Sequence, residues 1–221
     1  MKALLWKDVR LLINIIWLSL ALMAMPYLLL VLVWAGGGSP AMLSETLNEA
    51  AGTSLALSVL SASFAGGSAL SAERVDGSAR FLNYLPPQRL AIACSKFIVT
   101  AVLLAGVWLA NLGVRAATDP FVRPEANTLP DPGPGMLFAL GAAVVMSFGV
   151  SWFFSSFMRT TGLPSFIAIL IQILAVIVAP RVGIEINSPA GLKQLAAMGL
   201  ITGVAGTAVG TAIFAWLEES P

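Results

Sequence analysis

The chain contains no histidine. Zinc proteases of the membrane need paired histidines, histidine-based serine proteases need an imidazole base, and b-type haem proteins need imidazole axial ligands. All three chemistries lack their parts. Cysteine is almost absent too, with Cys94 alone, which excludes an internal disulfide and a cysteine-rich metal cage. Cys94 reads as a small apolar filler. Charge is the third scarcity: 10% of the 221 residues are charged, against about 25% in an average soluble domain. With 12 basic and 11 acidic side chains the formal net charge is +1, too little field to hold nucleic acid.

What is present is apolar. Hydrophobic residues make up 58% of the chain and the mean hydropathy is +0.89, more apolar surface than one soluble core absorbs. A helix needs about 20 apolar residues to cross the hydrocarbon layer. Stretches free of Asp, Glu, Lys and Arg, or nearly so, run over 11–35, 50–72, 90–114, 136–158, 163–179 and 195–217. Lys96 lies near enough to the start of the third to snorkel. The fifth is the shortest and carries Pro164 and Pro180 at its ends, so a re-entrant pair of short helices is an alternative there.

The expected fold is an all-α polytopic membrane protein, one transmembrane domain over 1–221 with six spans and an amphipathic helix over 1–10. An even number of spans puts both termini on one side. Lys2, Lys7, Arg10, Arg74, Arg80, Arg89, Lys96 and Arg159 then share that side, with Arg115, Arg123, Arg181 and Lys193 opposite, an excess that predicts cytoplasmic termini. Trp34, Trp108, Trp152 and Trp216 fall near span ends as interfacial rings do, whereas Trp17 lies deeper. The basic start resembles the n-region of a secretory signal, but its apolar run is too long for one and reads as a retained anchor.

No acidic residue falls within the six stretches, which argues against coupling to protons or sodium, because such relays use titratable groups at membrane depth. Uncharged polar residues do occur there: Asn14, Ser54, Ser58, Ser61, Ser63, Asn111, Ser147, Ser151 and Gln172. Most read as helix-to-helix or self-helix hydrogen bonds. Gln172 sits midway along the fifth stretch and should face a partner helix, a dimer axis or a pathway, and Asn14, Ser58 and Ser61 join it as candidates for such a path. Gly199, Gly203, Gly206 and Gly210 form two small-xxx-small pairs that permit close backbone approach, and Pro26 predicts a bend. The segment from Arg115 to Gly135 holds Pro120, Pro124, Pro130, Pro132 and Pro134, too broken for a long helix. A phosphate-binding P-loop is missing: Gly36, Gly37 and Gly38 lead into Ser39 and Pro40 with no lysine.

The connection from Ser71 to Phe97 reads SAERVDGSARFLNYLPPQRLAIACSKF. Glu73 and Arg74 open it. Ala79, Leu82 and Leu85 recur at helical spacing opposite Arg80 and Asn83, Pro86 and Pro87 end the run, and Arg89 and Lys96 lead into the next span. This pattern predicts a short helix lying on the membrane surface. The order resembles the ABC-2-type permeases of ATP-binding-cassette exporters, as does the layout of a basic N-terminal helix, six spans and inside termini. Asp76 and Ser78 around the glycine and the doubled proline depart from the usual pattern.

The resemblance implies a dimer of permease chains, like or unlike, paired with cytoplasmic ATP-binding-cassette ATPase subunits that hold the ATP and magnesium. This chain itself would bind no cofactor. Coupling to the ATPase would fall to Glu73, Arg74, Asp76, Gly77, Arg80, Leu85, Pro86 and Arg89, with Lys2, Trp6, Lys7 and Arg10 on a connecting helix. Spans one, two and five would approach the dimer axis, in the cytoplasmic (inner) membrane of a bacterium. The expected function is export of a hydrophobic or amphipathic cargo by a subunit with no ATPase site of its own. A haem-exporter B-like permease and a non-transporting membrane scaffold or assembly subunit are alternatives, and a Ser95–Lys96 pair at a span end is a poor basis for an intramembrane hydrolase.

Overall fold

The computed structural model describes residues 6, 9–10, 12–36, 40–72, 89–118, 134–160, 162–185 and 188–216. Six long helices account for almost all of them: α1 (Ile13–Ala35), α2 (Pro40–Ala69), α3 (Arg89–Thr118), α4 (Pro134–Ser155), α5 (Gly162–Val178) and α6 (Pro189–Trp216). A short 3-10 turn, Ala179–Val182, follows α5. All six, α5 together with its 3-10 turn, are long and apolar enough to cross a membrane, and no strand occurs among the described residues. The chain is therefore an all-helical integral membrane protein.

Several boundaries differ from those the charge-free stretches predict. α2 begins at Pro40, ten residues before the predicted start at Ala50, so Glu49 belongs to the second spanning helix, whose apolar part begins at Thr46. The expectation of no acidic residue in any span is corrected here. Alanine, leucine and glutamate are good helix formers and carry the helix on, and a carboxylate near the end of a span remains within reach of water. α3 likewise runs to Thr118 and takes in Arg115, which the sequence reading assigned to a loop. α5 is one continuous helix in place of a re-entrant pair. The 3-10 turn that prolongs it closes on Gly183, whose φ of 82° lies in the left-handed region open to glycine. α6 starts early, at Pro189, because the Ser188 hydroxyl accepts the Gly191 N–H at 3.0 Å as an N-cap with proline at the first helical position.

α2 stands at the centre and packs on α1, α3, α4 and α5, while α4 and α6 form the most extensive pair. Without a hydrophobic force between helices in lipid, small residues decide such contacts by letting backbones approach. A Cβ on Gly149 would strike the Gly203 carbonyl, one on Gly203 the Val145 carbonyl, and one on Gly210 would lie 2.8 Å from the Phe153 Cα. The glycines of α6 thus pack internally, onto α4. On the α2 side, Gly66 lies against Ser151 and Phe148, and Gly67 against Ser165. Between these seams an aromatic cluster fills the bundle, with Phe97, Phe148 and Trp152 at centroid separations of 5.4–6.2 Å. The Trp152 indole N–H donates to Thr211 Oγ1 at 3.2 Å.

Candidate functional site

The serines of α2 and the buried face of α3 make a polar seam through the apolar bundle. Ser54, Ser58, Ser61, Ser63, Ser68 and Ser71 are all buried. Several satisfy themselves within the helix: Ser63 donates to the Val59 carbonyl at 3.0 Å, Ser68 to Phe64 at 2.6 Å and Ser71 to Gly67 at 2.6 Å. Burial of these hydroxyls therefore costs little. Others join helices. Trp108 Nε1 donates to Ser58 Oγ at 3.0 Å, tying α3 to α2, and Ser54 donates to the Met23 carbonyl at 3.1 Å, tying α2 to α1. The Tyr27 hydroxyl donates to Asn111 Oδ1 at 2.7 Å, and the Asn111 amide donates back to Val107 O at 2.8 Å, so a fully buried amide joins α1 to α3.

A cation lies towards each end of the seam. The Arg115 guanidinium reaches Gly52, where a Cβ would meet its Nη1 at 3.6 Å. The pairs Trp108–Ser58 and Arg115–Gly52 fix α2 and α3 as antiparallel neighbours, and the same register carried the other way sets Lys96 level with Leu70 and Ser71. Successive spans alternate in direction, so α2 and α4 run parallel, and Gly66 against Ser151 sets the register that brings Ser155 and Ser156 to that level too. Lys96 is fully buried, so the expectation that it snorkels outward is corrected: the protein encloses it. Along α3 the two cations stand about 28 Å apart at a rise of about 1.5 Å per residue, close to the thickness of the hydrocarbon layer at about 30 Å. Ser95, beside Lys96, gives its hydroxyl proton to the Ile92 carbonyl at 3.0 Å.

The four residues expected along a path are not gathered at one place. Ser58 and Ser61 face the interior of the bundle, Ser58 as acceptor for Trp108. Gln172 is half-buried and donates to the Ala143 carbonyl at 2.5 Å, which locks α5 onto α4. Asn14 is exposed on α1. Of the expected connecting helix, Trp6 and Arg10 are exposed, while Lys2 and Lys7 lie outside the described residues. Glu73, Arg74, Asp76, Gly77, Arg80, Leu85 and Pro86 also lie outside them, and Arg89 opens α3.

Sequence reasoning missed Glu49 and Arg115 as helix residues, because a search for charge-free runs stops at the first charge. The alternation of Asn111 and Arg115 at one-turn spacing with the buried Val107 was the signal available. A second site follows from Glu49, in a groove of about 480 Å³ between α1 and α2. Among the described residues no group of histidine, cysteine, aspartate and glutamate could hold a metal ion. Compared with models of known protein families, with curated proteins and with solved structures, the chain matches none of them.

Proposed function

We propose that the chain is the membrane-spanning permease subunit of an ATP-binding-cassette exporter, a conduit for hydrophobic or amphipathic cargo driven by ATPase subunits on separate polypeptides. The observation that supports this reading most is mechanical. The segment with the coupling-helix pattern, 73–88, joins the ends of α2 and α3, and these helices are stitched together by Trp108–Ser58 and by Arg115 against Gly52. A push on that segment is delivered to a pair that moves as one, and α2 passes it to α1, α4 and α5. Cargo movement requires helices that can be displaced together, and a centrally placed α2 meets that need.

The packing bonds of Ser58 and Gln172 favour one further reading, a scaffold in which the polar side chains only hold helices together. One experiment separates the two. The full chain is purified with the products of its neighbouring reading frames, and ATP turnover of the complex is measured with Glu73 or Arg80 reversed in charge at matched expression. A permease brings down a P-loop ATPase, and either reversal cuts its cargo-stimulated turnover severalfold. Failure to bring down any ATPase, or undiminished turnover in both variants, overturns the exporter reading.

A further inference from the structure

The groove between α1 and α2 is apolar over nearly all its length, lined by side chains such as Met25, Leu29, Val33 and Leu57, yet among the described residues it carries one carboxylate, Glu49. Glu49 lies one turn inside the span that begins at Thr46 and is exposed. Among the described residues its carboxylate makes no ion pair, and an ionisable group inside a span marks a functional site with a counter-charge to be found. Arg115 is not that partner from within the groove. Thr46, Glu49, Thr53 and Leu57 recur as one stripe of α2 along the groove, and Gly52, which Arg115 touches, lies about 100° round the helix from the middle of that stripe at about 100° per residue, so Arg115 is not among the groove's lining residues.

We propose that this groove binds a net-cationic amphiphile. Its cationic head sits at the Glu49 carboxylate, with the Trp34 ring, which also lines the groove toward the end of α1, as a second contact. An indole face beside a carboxylate is a standard cation receptor, through ring quadrupole and charge together. The tail runs inward along α1 and α2 toward Leu57, over about 16 Å of helix between Thr46 and Leu57 at about 1.5 Å per residue. Among the described residues the lining contains no basic side chain. A zwitterionic or anionic lipid would bring a phosphate beside the Glu49 carboxylate with no cation among the described lining residues to neutralise it, so the charge complement selects a molecule that is positive overall. This inference concerns binding and stands without the exporter reading.

The test uses the full chain in phosphatidylcholine nanodiscs, with saturable binding of radiolabelled dodecyltrimethylammonium measured by equilibrium dialysis against empty discs. Glu49→Gln should weaken binding about tenfold or more, Glu49→Asp should keep most of it, and Trp34→Ala should weaken it about threefold. Leu57→Trp, at the inner end, should weaken the dodecyl probe and spare the octyl one. Equal affinity in wild type and Glu49→Gln, or competition by dodecyl sulfate as effective as by the cation, would overturn the proposal. So would loss of the signal in discs that contain phosphatidylethanolamine, which would give the groove to a lipid headgroup amine. A wild-type level of binding at unchanged strength in those discs supports it, whatever becomes of ATP turnover.

Discussion

α1 and α2 are neighbours in sequence and in space, and they have opposite relations to the bundle. Of the most apolar window of α2, 61% is buried inside the protein, against 11% for α1. α1 is the more apolar of the two, built of leucine, valine and methionine that are mostly exposed outside their contact with α2, with Ser19 and Pro26 as its buried residues. α2 is built of alanine, serine and glycine. In water the more apolar helix takes the interior. In a membrane the lipid is as apolar as leucine, so the interior goes to the helix with the smallest side chains and the most hydrogen bonds to share.

That contrast can be broken at the backbone first. Leucine at Gly149 or Gly203 would drive a side chain into the opposite main chain, and we expect a loss of about 3 kcal/mol or more, seen as failure of the folded chain to survive mild detergent in a thermal unfolding assay. The matched control is alanine at Gly106 or Gly113, where a Cβ meets nothing within 4 Å; these should be neutral or stabilise α3 by up to about 1 kcal/mol. A destabilised Gly106→Ala would mean that this face is covered in the assembled protein.

Next in size is the tie between the peripheral helix and the core. Tyr27→Phe removes the hydroxyl bonded to Asn111 and should cost about 0.6 kcal/mol, with about 1.7 as an upper bound, by double-mutant cycle with Asn111→Ala in unfolding titrations. Trp108→Phe, which loses the bond to Ser58, should cost a similar amount with packing retained. Smallest of all, Leu28→Ala or Leu32→Ala on the outward face of α1 should change stability by less than about 0.5 kcal/mol, since the side chain leaves lipid for lipid. A large effect at Leu32 would show that a second protein surface covers α1.

The number of spans, their order and the packing role of the α6 glycines were legible in the sequence, because hydropathy and the small-residue spacing report directly on lipid and on close approach. Where helices end was not. A charge marks the edge of a hydrophobic run, whereas a helix ends where its hydrogen bonds end, so Glu49 and Arg115 fell on the wrong side of predicted boundaries. Lys96 was misjudged for a related reason. Its place near a span start says how deep it is, and nothing in one dimension says that α2 and α4 close around it. The tie from Tyr27 to Asn111 spans two intervening segments and has no local signature at all.

The close crossing of α4 and α6 bears on how the chain comes to be assembled. Helices enter the bilayer in the order of synthesis, and α4 must wait through α5 and its turn before its principal partner exists. Until α6 is made, the Gly149 side of α4 remains an open notch, available to whatever neighbour or chaperone reaches it first. The α4–α6 crossing, the most extensive in the bundle, thus closes only once α6 has followed α5 into the bilayer.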